Sequence, residues 1–368
     1  MARCTYGRRA LIFIYMSKST STPTPLNIKM TRTIHPVGQG AFYSETFSNE
    51  DNHALFTAVY DCGGKYDAVI REIKNWRVSA VDILFISHFH CDHINGIKDL
   101  IKNKAVKKVF FPHISPCRFL VDYMSNIIKD KTGACGGFLL DILPHFSSTM
   151  GYNRPKNSSF FPGTPEFIPV SDGKKHQEQA EGSFWAYDAI YEEDDSKERK
   201  LIKELASDYP LIAECANDYK DSSKYEDIAS LIHSSEDFLE KVKKAYSLAF
   251  PGGHNSYSML VLSHQIGFDK IERMDMDCLY TGDTNVDNNV LNVVSTCGPR
   301  YIQVPHHGSN HNHEPKLYNG KPIAFISVGE TNRYRHPGLT TLLDLYDRCM
   351  EVHIVTEDQK RLYVKPSI

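Results

Sequence analysis

Ser87–Gly96 reads SHFHCDHING, a concentration of metal-capable side chains in one short stretch. His88 and His90 stand two residues apart at the end of an apolar run, VDILFIS, so on an extended backbone their rings point to the same side. Asp92 and His93 follow where the chain turns toward a helix near Asn95. Such a turn can serve two adjacent metal positions. Zinc takes neutral imidazole and carboxylate at about 2.0–2.2 Å and tolerates mixed nitrogen and oxygen sets. A His-rich surface loop is the bland alternative, but it does not explain this order of residues between a buried strand and Asn-Gly. Cys91, between the two pairs, is expected to point away and pack.

Further candidates lie far off in the chain. Asp61 in YDCGG, Asp283 in LYTGD and His306-His307 in VPHHGS each follow a run that reads as a strand. In layered α/β folds, sites gather at the carboxyl ends of strands, so residues distant in sequence converge there. An aspartate in Thr-Gly-Asp would alone be a turn residue; its place at a strand end, with the others, makes it a site residue.

The elements that must position these residues are legible in outline. TRTIHPVGQGAFYSETF gives two strands about a Gly-Gln-Gly turn, and HALFTAVYDCGG a third. KYDAVIREIKNW has helical spacing, VDILFIS is a fully buried strand, INGIKDLIK starts a helix and AVKKVFFP is the next strand. From His113 to Phe250 the character becomes helical, with CRFLVDYMSNIIKD and SEDFLEKVKKAYSLAF among the segments. After Pro251 strands return: SYSMLVLSH, DCLYTGD, YIQVPHH and PIAFISVG, then helix TTLLDLYDRC and strand VHIVTE. The division is therefore a disordered or dispensable extension over 1–30, a first half over 31–112, a helical insertion or cap over 113–250, and a second half over 251–368. No internal repeat is visible in the sequence.

Composition bounds the function. At 368 residues, 41% hydrophobic and 11% aromatic, the chain can bury a sizeable core. A net charge of -3 supplies no global basic field for nucleic acid, although a bound metal can supply positive charge locally. Nine cysteines without CxxC pairs fit reduced thiols in a cytoplasm. No window reaches the ~20 apolar residues of a membrane span, and the apolar run near Ala10 is short for a signal peptide.

His88-Phe-His90-Cys-Asp92-His93 resembles the HxHxDH signature of the metallo-β-lactamase-fold hydrolases. With VGQG, YDCGG, TGD, HHGS and ETNRYRHP in order, the chain is similar to the nuclease-like domain of ComEC competence proteins and related phosphodiesterases. The resemblance covers roughly Thr31–Pro112 and Pro251–Glu357 and implies an α/β fold, an αββα sandwich with a largely helical insertion. It implies two divalent metals, zinc or manganese, with a bridging hydroxide as nucleophile. The implied ligands are His88, His90, Asp92, His93, His254, Asp283 and His306, with Asp61 orienting the metal loop. Asp92, His307, His336 and Asn332 are the expected catalytic or substrate-facing residues, and Arg333, Arg335 and Lys316 the expected local positive charge. The HHGS motif alone leaves open which of His306 and His307 is the ligand. The implied substrate is a phosphodiester, as nucleic acid or nucleotide; thioester, lactone or β-lactam hydrolysis, or a degenerate binding protein, are the alternatives. The insertion could cap the cleft, bind a protein partner or mediate self-association.

Overall fold

Apolar residues at alternate positions put one face of each strand toward a second layer, and the chain builds two such layers in succession. The computed structural model describes residues 10–14, 28–130, 133–147, 165–180, 185–250, 257–266 and 276–358. The first sheet takes β1 (Ala10–Ile14), β2 (Lys29–Ile34), β3 (Phe42–Ser48), β4 (Ala54–Cys62), β5 (Ala80–Phe85), β6 (Ala105–Pro112) and β7 (Glu166–Val170) in sequence order. The second takes β8 (Lys175–Gln179), β9 (Trp185–Ile190), β10 (Leu260–Gln265), β11 (Cys278–Tyr280), β12 (Tyr301–Gln303), β13 (Ile323–Ser327) and β14 (Glu351–Val355), again in sequence order. Both follow one pairing scheme, antiparallel up to the fourth strand and parallel beyond it. The switch falls at β4 and at β11.

Between the sheets, Tyr60 stacks on Tyr280 with centroids 4.9 Å apart, and Tyr43 meets Phe325 edge-on at 5.2 Å. Arg32 and Glu45 form a fully buried pair at 2.7 Å, and the hydroxyls of Tyr187, Tyr280 and Ser263 donate to the same carboxylate. A charge buried there is tolerable because each of its oxygens is satisfied. Helices α1 (Tyr66–Asn75), α2 (Cys91–Ile94) and α3 (Ile97–Asn103) follow β4 and β5, and Val69, Ile73, Ile97 and Leu100 pack on the first sheet. On the far side of the second sheet, α10 (Asn288–Cys297) and α11 (Leu339–Arg348) set Val290 and Leu345 against Leu262, Leu279, Ile302 and Val352. The layers are those of the expected αββα sandwich.

The middle of the chain holds α4 (Pro116–Lys129), α5 (Ala134–Ser147), α6 (Ser196–Ala206), α7 (Pro210–Cys215), α8 (Ser222–Ser234) and α9 (Glu236–Ala249). Ser115 caps α4, accepting from the Arg118 N–H at 3.2 Å, with Pro116 in the first turn. Phe119, Phe146, Tyr219 and Tyr225 make the aromatic core of these helices. Two boundaries differ from those read in the sequence. The 113–250 segment is not purely helical, since β7 extends the first sheet and β8 and β9 edge the second. KHQEQ, the β8 sequence, carries almost no apolar signal, and pairing with β9 decides its state. The first sheet also starts before Thr31: Lys29 and Met30 lie in β2, and Ala10–Ile14 pair along it.

Candidate metal centre

The metal loop begins where β5 ends and is held by β4. Asp61, fully buried, accepts from the Ser87 N–H and the Ser87 hydroxyl, both at 2.7 Å, and sits 2.8 Å from His93 Nδ1. His88 Nδ1 lies 2.9 Å from Ser87 Oγ and 3.2 Å from Ser258 Oγ. Two of the glycine motifs explain themselves here. A Cβ on Gly40 would come 2.5 Å from the Asp92 carbonyl, and one on Gly63 would meet the Asp92 carbonyl at the same distance. Only bare backbone lets VGQG and CGG close on the loop.

The second half meets it from the ends of β11 and β12. Ser258 Oγ accepts from the Asp283 N–H at 2.9 Å, so one hydroxyl orients both His88 and the opposing carboxylate. Gln303 Oε1 accepts from the Thr281 and Gly282 N–H groups at 3.0 and 3.1 Å and fixes the turn before Asp283. His306 and His307 both have left-handed backbones, with φ of 49° and 54°. Consecutive non-glycine residues in that region are costly and persist where the surroundings enforce them. Here the turn aims adjacent rings at one target. His306 Nδ1 is 2.9 Å from Asn312 Oδ1, and His307 Nδ1 donates to the Ser327 carbonyl at 2.9 Å.

That target is the Asp283 carboxylate. Its Oδ1 lies 3.2 Å from His93 Nε2 and 3.8 Å from His307 Nε2; its Oδ2 lies 3.8 Å from His88 Nε2 and 3.7 Å from His306 Nε2. Asp92 Oδ2 is 3.3 Å from His307 Nε2. Two overlapping groups result, His88 with His93 and Asp283, and Asp92 with His93 and His307. Each of the four imidazoles has Nδ1 tied to the protein and Nε2 turned inward, the arrangement in which an outer partner orients a metal-ligating histidine. His88 Nε2, His93 Nε2 and Asp283 Oδ1 are buried and make no hydrogen bond, so the residues present fit a divalent metal. Spacings of 3.2–3.8 Å are those of donors that can share an ion at ~2.1 Å bonds.

Electrostatics follow from this crowding. Burial alone would push the Asp283 carboxyl up, but His306, His93 and His307 outweigh it and hold it well below the ordinary range. Burial likewise disfavours a charged His93, yet Asp283, Asp61 and Asp92 raise it well above the usual imidazole value. His88 goes the other way, lowered by burial and by the neighbouring His93.

The expected residues do not all converge. His307, rather than His306, groups with Asp92 and His93, because the double left-handed turn rotates the second ring onto that side. His90 lines the cavity, with Nε2 4.0 Å from Asp122 Oδ1 of α4. His254 falls outside the described residues. His336 lines the cavity with its ring 5.6 Å from that of His306, and burial with both neighbouring histidines pushes it down to about 4. It therefore presents a neutral ring near pH 7, not an imidazolium. Asn332, expected to face substrate, instead clasps its own loop: its amide donates to the Gly329 and His336 carbonyls and accepts from the His336 N–H. Arg333, Arg335 and Lys316 are exposed and do not line the cavity.

The cavity over the centre has a volume of about 540 Å³ and is walled partly by the middle helices. Ser125, Asn126 and Lys129 of α4 and Tyr246 of α9 line it opposite Tyr334 and His336. None of these α4 and α9 residues was marked by a motif; their signal is the polar face of CRFLVDYMSNIIKD, visible only once the helix is docked. Among the described residues no helix is long and apolar enough to cross a membrane.

No curated protein matches the chain. Among solved structures it is similar to YhfI from Bacillus subtilis, a metallo-beta-lactamase fold protein, at 10% identity and TM-score 0.41, covering 92% of this chain and 98% of that one. It is similar to unliganded yeast PDE1 at 10% identity and TM-score 0.43, covering 90% and 97%. A long form RNase Z from yeast matches at 12% identity and TM-score 0.37, over 82% of this chain and 37% of that one. Residues 54–116, which carry Asp61 and the whole metal loop, match the metallo-beta-lactamase superfamily. With the topology of the two sheets, that match makes the fold a metallo-β-lactamase αββα sandwich with further helical segments in the middle of the chain.

Proposed function

We propose that the chain is a dinuclear metal-dependent hydrolase of phosphodiesters, of the ComEC-like kind, acting on a nucleotide or nucleic acid in the cytoplasm. The observation that carries it is the split Asp283 carboxylate, with two inward-facing imidazoles on each oxygen at the floor of a polar cavity. In this reading His88, His90 and His306 would hold one ion, with His254 as a further candidate. Asp92, His93 and His307 would hold the other, with Asp283 within reach of both sets. Zinc or manganese suits that donor set. When bound, the metals make water acidic enough to ionise near neutral pH and stabilise the charge that develops on a phosphoryl group.

The chain's own residues do the rest. Asp92, a third exposed and lining the cavity, takes a proton from the nucleophile. Neutral His336 meets a substrate oxygen as a hydrogen-bond partner. Lys129 places a cation at the mouth and Ser125 a hydroxyl suited to an anionic ester, while the Asn126 amide beside them is spent on the Phe89 and Asp122 carbonyls. The insertion thereby serves as a wall of the site, and a protein partner or self-association would use its outer faces. The test is turnover of a bis-aryl phosphate, a single-stranded oligonucleotide and a cyclic dinucleotide by zinc- or manganese-loaded protein, beside a thioester, a lactone and a β-lactam. Turnover confined to the last three rejects the phosphodiester reading; no turnover and no metal uptake rejects an enzyme.

A further inference from the structure

Cys91 stands between His90 and Asp92, and its sulfur does not pack alone. Its Sγ lies 2.6 Å from Sγ of Cys135, in the first turn of α5. Both sulfurs are carried on fixed backbone. The Cys135 N–H donates to Asp130 Oδ2 at 2.7 Å, which anchors the start of α5 to the end of α4. The Asn126 amide donates to the Phe89 carbonyl at 2.6 Å, which anchors α4 to the metal loop. Lys98 and Asp141 bridge α3 to α5 at 2.8 Å.

Two chemistries suit a pair of cysteines with a nearby carboxylate, a metal site or a disulfide. Asp130 is close enough to complete a three-residue group. Thiolates sharing a zinc at ~2.3 Å bonds and a tetrahedral angle stand ~3.8 Å apart, far wider than this pair. A disulfide needs about 2.05 Å, which closing the gap by ~0.6 Å would supply. Access is also graded in the right way. Cys91 lines the cavity over the metal centre, whereas Cys135 is fully buried behind it. An oxidant in the cavity meets the first sulfur, and the second is already positioned to resolve it.

We propose that Cys91 and Cys135 form a redox pair, closed by peroxide, that fastens α5 to the segment carrying His90 and Asp92. Hydrogen peroxide oxidises the Cys91 thiol to a sulfenic acid and is reduced to one water. The Cys135 sulfur then attacks the Cys91 sulfur, the S–O bond breaks, and the hydroxyl leaves with the Cys135 proton as a second water. A dithiol reductant reverses the link. In a reducing compartment such a bond is transient and sensing rather than structural. It ties residues 91 and 135 across a long chain segment, so the linked form should resist unfolding better than the dithiol form.

The test uses the full chain, metal-loaded and reduced, treated with a slight excess of hydrogen peroxide and then alkylated. Expected are a mass loss of about 2 Da, a peptide joining Cys91 to Cys135, a melting temperature raised by a few degrees, and reversal of all three by dithiothreitol. In Cys135→Ser the 2 Da loss and the thermal shift should vanish, and Cys91 should advance to sulfinic acid. Absence of the joined peptide from the parent protein overturns the proposal. So does protection of both thiols without mass loss and released by a chelator, which would assign the group to a metal. None of these readouts depends on the hydrolase reading.

Discussion

Asp61 is the residue on which the metal loop turns, and Asp61→Asn isolates its role. The substitution keeps size and tolerates the residue's left-handed backbone, φ 56°. Asn Oδ1 can still accept from the Ser87 N–H, but an amide NH2 replaces the oxygen that faces Ser87 Oγ and His93 Nδ1. The Ser87 hydroxyl can rotate. The imidazole cannot avoid the clash of two donors except by moving its proton to Nε2, the atom turned toward Asp283. Loss of an outer partner of this type lowers metal affinity ~10–100-fold, or about 1.4–2.7 kcal/mol. Unmaking one buried hydrogen bond costs the metal-free protein ~1–3 kcal/mol besides. Competition with a chromophoric zinc chelator measures the first quantity, and a chemical melt of the metal-free protein the second. A folded Asp61→Asn protein with zinc affinity within twofold of the parent would refute the argument that Asp61 sets the His93 tautomer.

Other outcomes follow from the same contacts. His306→Ala and His307→Ala should each lower bound metal from two equivalents toward one by elemental analysis; retention of two in either removes that histidine from the ligand set. Lys129→Ala should raise KM for a phosphodiester ~10-fold with kcat little changed, and an unchanged KM would take the cation out of substrate binding. Burial pushes the Glu193 carboxyl up to about 7. Its folded value exceeds the ~4.3 of an exposed glutamate, so stability is full below that and falls as pH rises through 7. Glu193→Gln, which can still accept from the Ser115 N–H, should therefore stabilise the protein by ~1–3 kcal/mol at pH 8 and not at pH 4; equal effects at both would contradict it. For His264, burial lowers the imidazole but Asp188, 2.9 Å away, outweighs it, leaving the value raised. Its contribution is full below ~6.5 and lost as pH rises through the raised value, so His264→Gln should depress the melting temperature more at pH 5.5 than at pH 9.

Most of what positions the centre was legible because each half of it follows an apolar run at a strand end. Asp61, the metal loop, Asp283 and the two histidines of VPHHGS are singled out by that position together with the resemblance of the HxHxDH, TGD and HHGS motifs. The division of labour between His306 and His307 is not. Alternation assigns neighbours to opposite sides, and only two successive left-handed residues bring both rings to one carboxylate. Asn332 misled for a related reason, since an asparagine in a loop satisfies the backbone as readily as a ligand. Lys129 and Cys135 belong to helices whose periodicity shows a buried face but not which surface buries it. Ser258, just ahead of β10, and Gln303, at the end of β12, hold the site through two hydrogen bonds each, and nothing in their types marks them.

The two sheets run one path twice, and the centre sits on the seam where the paths meet. Asp61 closes the fourth strand of the first sheet and Asp283 follows the fourth of the second; the metal loop follows the fifth of the first, and His306-His307 the fifth of the second. Ions held there would act as rivets at the centre of two half-molecules that also share packing, hydrogen bonds such as that from the Met259 N–H to the Ser87 carbonyl at 2.7 Å, and ion pairs such as Lys108 with Glu178 at 3.0 Å. Chelation should then loosen the molecule along that seam first, with amide exchange rising together at the ends of β4, β5, β11 and β12 while the outer strands stay protected.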